Sequence, residues 1–120
     1  MNYDLEGRTK DFSIDVLKLA MTIKRIPINQ NIIDQLLRSS TSVGANYCEA
    51  NNASSKKDFQ NKISLCRKEI QETKYWLDLL YETEQVKLNE IKDLQQEAHE
   101  LTLIFNKISS TLRNNKSIDN

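Results

Sequence analysis

Turn formers are nearly missing from this chain. Two glycines and one proline in 120 residues are too few for the many tight turns of a sheet-rich fold. What replaces them is Leu, Ile, Lys, Glu, Gln and Asn, a bias toward long helices, so the expected class is all-α. Long apolar runs are missing too: none approaches the roughly 20 residues that cross a bilayer. The opening MNYDLEGRTKDF is polar and acidic where a secretory signal is basic and then apolar. A soluble, cytoplasmic protein without membrane partners is expected. Charge of one sign is equally lacking. Seventeen Lys and Arg balance seventeen Asp and Glu, so only the distribution of charge can argue for nucleic acid.

Cysteine and histidine are scarce, which removes most catalytic and metal chemistry. Cys48 and Cys66 fall on different predicted helices and form no CxxC pair; both are expected to be small, reduced core thiols. His99, the single histidine, follows Gln96 where a di-iron bundle needs Glu, and no arginine precedes it at the spacing of helical ribonucleases. No phosphate-cradling glycine loop, HExxH or nucleophile triad is present, so no enzyme, metal or cofactor is expected.

What is present is helical periodicity. Phe12, Val16, Leu19, Ala20, Ile23 and Ile26 recur on one face of a first helix over about residues 9–26, after a frayed arm. Pro27 ends it, and Asn29 is the expected cap of a second helix over about 30–52. The apolar face of that helix holds Ile32, Ile33, Leu36, Leu37, Val43, Tyr47 and Ala50. Its middle is a run of small residues, Ser39 to Ala45, which predicts close packing against a neighbouring backbone.

A short turn, Asn51 to Ser55, makes the third helix, about 56–83, an antiparallel neighbour of the second. Ser55 with Asp58 resembles a capping box. Phe59, Ile63, Cys66, Ile70, Thr73, Leu77 and Leu80 form a seam along that helix. Ile91, Leu94, Ala98, Leu101, Phe105, Ile108 and Leu112 repeat it in a fourth helix over about 89–113, ahead of a polar, mobile tail. One domain spanning 1–120, an antiparallel up-down-up-down four-helix bundle, follows from the short loops.

Two sets of residues stand outside these seams. Leu65, Tyr75, Trp76 and Leu79 widen the apolar sector of the third helix beyond what one bundle covers, which predicts a homo-oligomer. Arg38, Ser42, Asn46 and Glu49 line up beside the apolar face of the second helix, placing Arg38 opposite Glu69 and Glu72, and Glu49 near Lys57 or Lys62. Arg38, Asn46, Glu49, Glu69 and Glu72 are therefore expected to form a polar ladder that sets the register of the hairpin.

These residues carry a resemblance. Arg38, Ser42, Ala45-Asn46 and Glu49, then Ser55 to Phe59, Lys68-Glu69, Glu72-Thr73 and Trp76 to Leu80, resemble the bacterial four-helix-bundle family named for proteins encoded in intervening sequences of 23S ribosomal RNA genes, also labelled S23 ribosomal protein. The likeness covers most of residues 12–112; Gly44, Tyr47 and Cys48 depart from it, since many relatives carry Pro, Ile and Ala there. The resemblance implies bundles assembled as barrel-shaped homopentamers. One related protein, the accessory variability determinant of diversity-generating retroelements, binds RNA and a reverse transcriptase through a basic surface.

Topology predicts such a surface here. The starts of the first and third helices and the end of the fourth share one end of the bundle, collecting Arg8, Lys10, Lys56, Lys57, Lys62, Lys107, Arg113 and Lys116. The other end collects Asp78, Glu82, Glu84, Glu90 and Asp93, partly offset by Lys24, Arg25, Lys87 and Lys92. In a ring the basic ends would add, and RNA or another nucleic acid would respond by releasing counterions. The alternative is a protein-interaction scaffold that presents Tyr75, Trp76, Leu79 or the acidic end to a protein partner.

Overall fold

The structure, a computed structural model, describes residues 4–119, with side chains described for 4–115. Four helices run up, down, up and down: α1 (Leu5–Thr22), α2 (Pro27–Asn51), α3 (Lys56–Thr83) and α4 (Leu88–Asp119). α1 and α3 each pack against both α2 and α4 and lie diagonal to one another. The bundle measures 53 × 24 × 22 Å.

Capping explains where the helices begin. α1 starts at Leu5, ahead of the expected position, because the Asp4 carboxylate accepts the Gly7 N–H at 2.9 Å and because Leu5 is itself buried in the core. At its other end α1 stops at Thr22, short of the expected 26. Ile23 already has extended backbone, φ −96° and ψ 126°, and Ile26 is exposed instead of joining the core face.

α2 begins earlier than expected, with Pro27 at the first helical position, where a missing N–H costs nothing. Ile26 caps it in the extended geometry that a following proline demands, φ −133° and ψ 163°. Asn29 is thus a third helical residue and not the cap. Its buried amide accepts the Ile26 N–H at 2.9 Å and donates to the Lys24 carbonyl and to Glu84 Oε2, both at 3.1 Å. That one side chain ties the first loop to the end of α3.

α3 runs over the residues that periodicity indicates. Ser55 Oγ accepts the Asp58 N–H at 3.0 Å, while Asp58 Oδ2 accepts the Ser54 N–H at 3.3 Å. α4 opens after Lys87, the one described non-glycine residue with positive φ, 62°. It then continues to Asp119 in place of the mobile tail expected after Arg113, since no glycine or proline follows to stop it.

The seams close on a single core. Phe12, Val16, Ile33, Ile70, Leu77 and Phe105 are among its fully buried members. Each such side chain contributes roughly 1.5–3 kcal/mol by leaving water. The small-residue run of α2 lies against α1, where Ser13 Oγ donates to the Ser40 carbonyl at 3.2 Å. A Cβ placed on Gly44 would sit 3.5 Å from the Thr9 carbonyl oxygen, an ordinary contact, so this close approach does not require glycine.

The two cysteines divide. Cys66 is buried, its Sγ 3.6 Å from the Val43 carbonyl, and burial pushes the thiol up to about 12. Cys48 is exposed, a correction to its expected core position. Five residues beyond Val43, it is rotated about 140° away from the apolar face.

A candidate nucleic-acid interface at the turn between α2 and α3

Across the hairpin, Arg38 Nη1 donates to Glu69 Oε2 at 3.0 Å, and its second terminal nitrogen bonds Glu72. Glu72 also accepts the indole N–H of Trp76 at 3.0 Å. Near the turn, Lys62 Nζ lies 2.9 Å from Glu49 Oε1, and this bond raises the lysine pKa. Asn46 makes its hydrogen bond within α2, donating to the Ser42 carbonyl at 2.9 Å. Among the ladder residues of α2, Arg38 and Glu49 therefore bond across to α3, whereas Asn46 does not.

Burial separates the two rungs of this ladder. The Glu69 side chain is only 12 % exposed, that of Glu49 57 %. Removing a partner strands a desolvated carboxylate in the first case and a hydrated one in the second. Arg38→Ala should cost about 2 kcal/mol of stability, between the values for exposed and buried pairs. Lys62→Ala should leave the urea unfolding midpoint unchanged.

On the outer flank of α3, Tyr75 and Leu65 are exposed, and Trp76 and Leu79 are half-buried. The Tyr75 ring meets Trp76 edge-on at 5.1 Å.

The basic end is arranged differently from its sequence outline, because the helices are not flush. α4 has 32 residues against 18 in α1, and the start of α1 meets the middle of α4. There Arg8 binds Glu97 through two nitrogens, at 2.7 and 2.8 Å, and Glu100 at 2.8 Å. Hydrogen bonding to Glu97 raises the guanidinium pKa, and Glu100 is lowered by bonds from Gln96 and from Arg8. Arg8 thus fastens α1 to α4, while Lys62 is engaged by Glu49 of α2 at the surface. Glu97 and Glu100, three residues apart on one face, were the signal for this clamp in the sequence; the partner became identifiable only once the offset of the helices was known. Arg67, which bonds Asn106 at 3.0 Å and Ser109 at 3.3 Å, ties α3 to α4 and was likewise missed.

Lys10, Lys56, Lys57 and Lys107 are exposed and make no ion pair among the described residues. Arg113 is also exposed, and the side chain of Lys116 lies outside the described residues. Lys56 and Lys57 edge a groove of about 890 Å³ between the turn and the last described part of α4. It is lined by the polar residues Asn51, Ser55, Gln60, Asn61 and Asn115 and by Ala50, Ala53, Phe59 and Leu112. The acidic residue of the turn, Asp58, is folded back onto the Ser54 N–H.

At the opposite end Glu84 accepts from Asn29, Asp78 Oδ1 accepts from Gln95 at 2.9 Å, and Arg25 pairs with Asp34 at 2.5 Å. His99 Nδ1 lies 3.5 Å from Lys74 Nζ on the surface. Among the described residues no group of three or more His, Cys, Asp or Glu side chains could hold a metal ion. No described helix is long and apolar enough to cross a membrane.

Comparison with known proteins agrees with this architecture. The family model described as 23S rRNA-intervening sequence protein matches residues 2–107. A solved structure from Bacteroides thetaiotaomicron, a protein of unknown function from the S23 ribosomal protein family, superimposes with a TM-score of 0.75 at 30 % identity, covering 87 % of this chain and 96 % of that one. No curated protein matches. By the span of that family model and by this likeness, the chain belongs to the 23S rRNA-intervening sequence protein family.

Proposed function

We propose that this protein is a non-enzymatic RNA-binding accessory protein that works as a homo-oligomer and presents the turn between α2 and α3 to the phosphate backbone. One observation carries the reading. Arg8, Lys62 and Arg38 are committed to carboxylates of neighbouring helices, whereas Lys10, Lys56, Lys57 and Lys107, at the turn end, are not. Cations held by no carboxylate are those a phosphate can recruit.

Oligomerisation multiplies this surface. The flank Leu65, Tyr75, Trp76 and Leu79 supports a contact between copies, and the resemblance to the family favours five of them. Titrating labelled structured RNA at several salt concentrations tests the function, and native mass spectrometry counts the subunits. Binding should weaken linearly in log[salt], with a slope of about 0.7 for each single-strand phosphate contacted. An oligomer that binds no RNA at low ionic strength would refute the reading.

A second reading rests on the opposite end, where Met21 is 84 %, Ile28 76 % and Val86 58 % exposed. Exposed apolar side chains at the end of α1, the start of α2 and the loop before α4 fit a protein-interaction scaffold. Pull-down from the host after nuclease treatment separates the two, because a scaffold keeps its partner without RNA.

A further inference from the structure

We infer that the groove beside Lys56 and Lys57 takes unpaired nucleotides and discriminates against duplex RNA. This rests on the RNA-binding reading and specifies its ligand. The groove, at about 890 Å³, has the volume of a site for a drug-sized ligand.

The lining chemistry agrees. Lys56 and Lys57 supply ammonium groups to a backbone phosphate, and Phe59, half-buried against the core, is part of the lining. Gln60 and Asn61 on α3 and Asn115 on α4 add three amides, each both donor and acceptor, as base edges require. A base pair hides its Watson–Crick edges and its faces from such a groove. An unpaired base offers the edge to the amides and the face to the ring.

The test is fluorescence anisotropy of the full chain at low salt, with a labelled 12-nucleotide single strand and with the same sequence in a blunt duplex. The single strand should bind at least about 10-fold tighter. Phe59→Leu, which keeps the core filled, should lower single-strand affinity about 10-fold and leave the weak duplex binding unchanged. The double variant Gln60→Ala with Asn61→Ala should flatten preferences among poly-A, poly-C and poly-U strands, and it carries the test even if Phe59→Leu disturbs folding. Equal binding of strand and duplex, or a double variant indistinguishable from the parent, would overturn this inference while leaving RNA binding intact. Binding of neither RNA would overturn the RNA reading itself.

Discussion

Phe105→Ala should lower the thermal unfolding midpoint by about 15 °C, the largest stability effect expected of a single truncation here. Phe105 is fully buried where α4 faces α2, and its ring meets Tyr47 edge-on at 5.9 Å. Truncation loses the transfer free energy of the ring and opens a cavity that rigid neighbouring helices cannot close. Together these cost about 3–5 kcal/mol. For a domain of this size each kcal/mol moves the midpoint by roughly 4 °C. Leu103, two residues earlier and 55 % exposed, provides the control. Leu103→Ala should shift the midpoint by no more than about 2 °C. Circular dichroism at two protein concentrations checks both and reveals any contribution from subunit association. A drop below about 5 °C for Phe105→Ala would mean that the core is not packed as described.

Charge reversal at the turn is expected to have the largest effect on binding. Lys56→Glu combined with Lys57→Glu removes two attractions to phosphate and adds two repulsions, so RNA affinity at low salt should fall on the order of 100-fold. The slope of log affinity against log[salt] should shrink by at least about 1.4, twice the value for one single-strand phosphate. Both lysines are exposed and unpaired among the described residues, so the folded state should be untouched. Arg8→Gln is the informative contrast: it breaks the clamp on Glu97 and Glu100, and should lower stability while leaving RNA affinity within about twofold. Equal losses of affinity from both changes would show that total charge, and not the turn, governs binding. Undiminished affinity after reversal at the turn would remove that end from the interface altogether.

Much of this architecture can be read without coordinates, because its determinants are local. The bounds of α3 follow from Ser55, Asp58 and a seam, apolar except for Thr73, at spacings of three and four. The pairing of Arg38 with Glu69 and Glu72 follows from a short turn and antiparallel counting outward from it. Counting worked there because the two helices meet directly through that turn. It misled wherever a residue's role depended on something remote. Asn29 looked like a cap because asparagine favours that position, yet Pro27 started the helix and left the Asn29 amide to bond Lys24 and Glu84. Cys48 looked buried by residue type, although its angle around α2 turns it to solvent.

The basic end shows the division most sharply. Composition, periodicity and scarce turn formers determine by themselves that the chain makes four antiparallel helices, since helix propensity and apolar spacing act within a few residues of each position. Which lysines and arginines remain available to a partner was decided by tertiary structure alone. The offset between α1 and α4 brings Arg8 to Glu97 and Glu100, and the register of α2 on α3 brings Lys62 to Glu49. Ion pairing acts over a few ångströms in space between residues as many as 92 apart in sequence, so only the packed bundle sorts the charges that hold it together from those it presents outward.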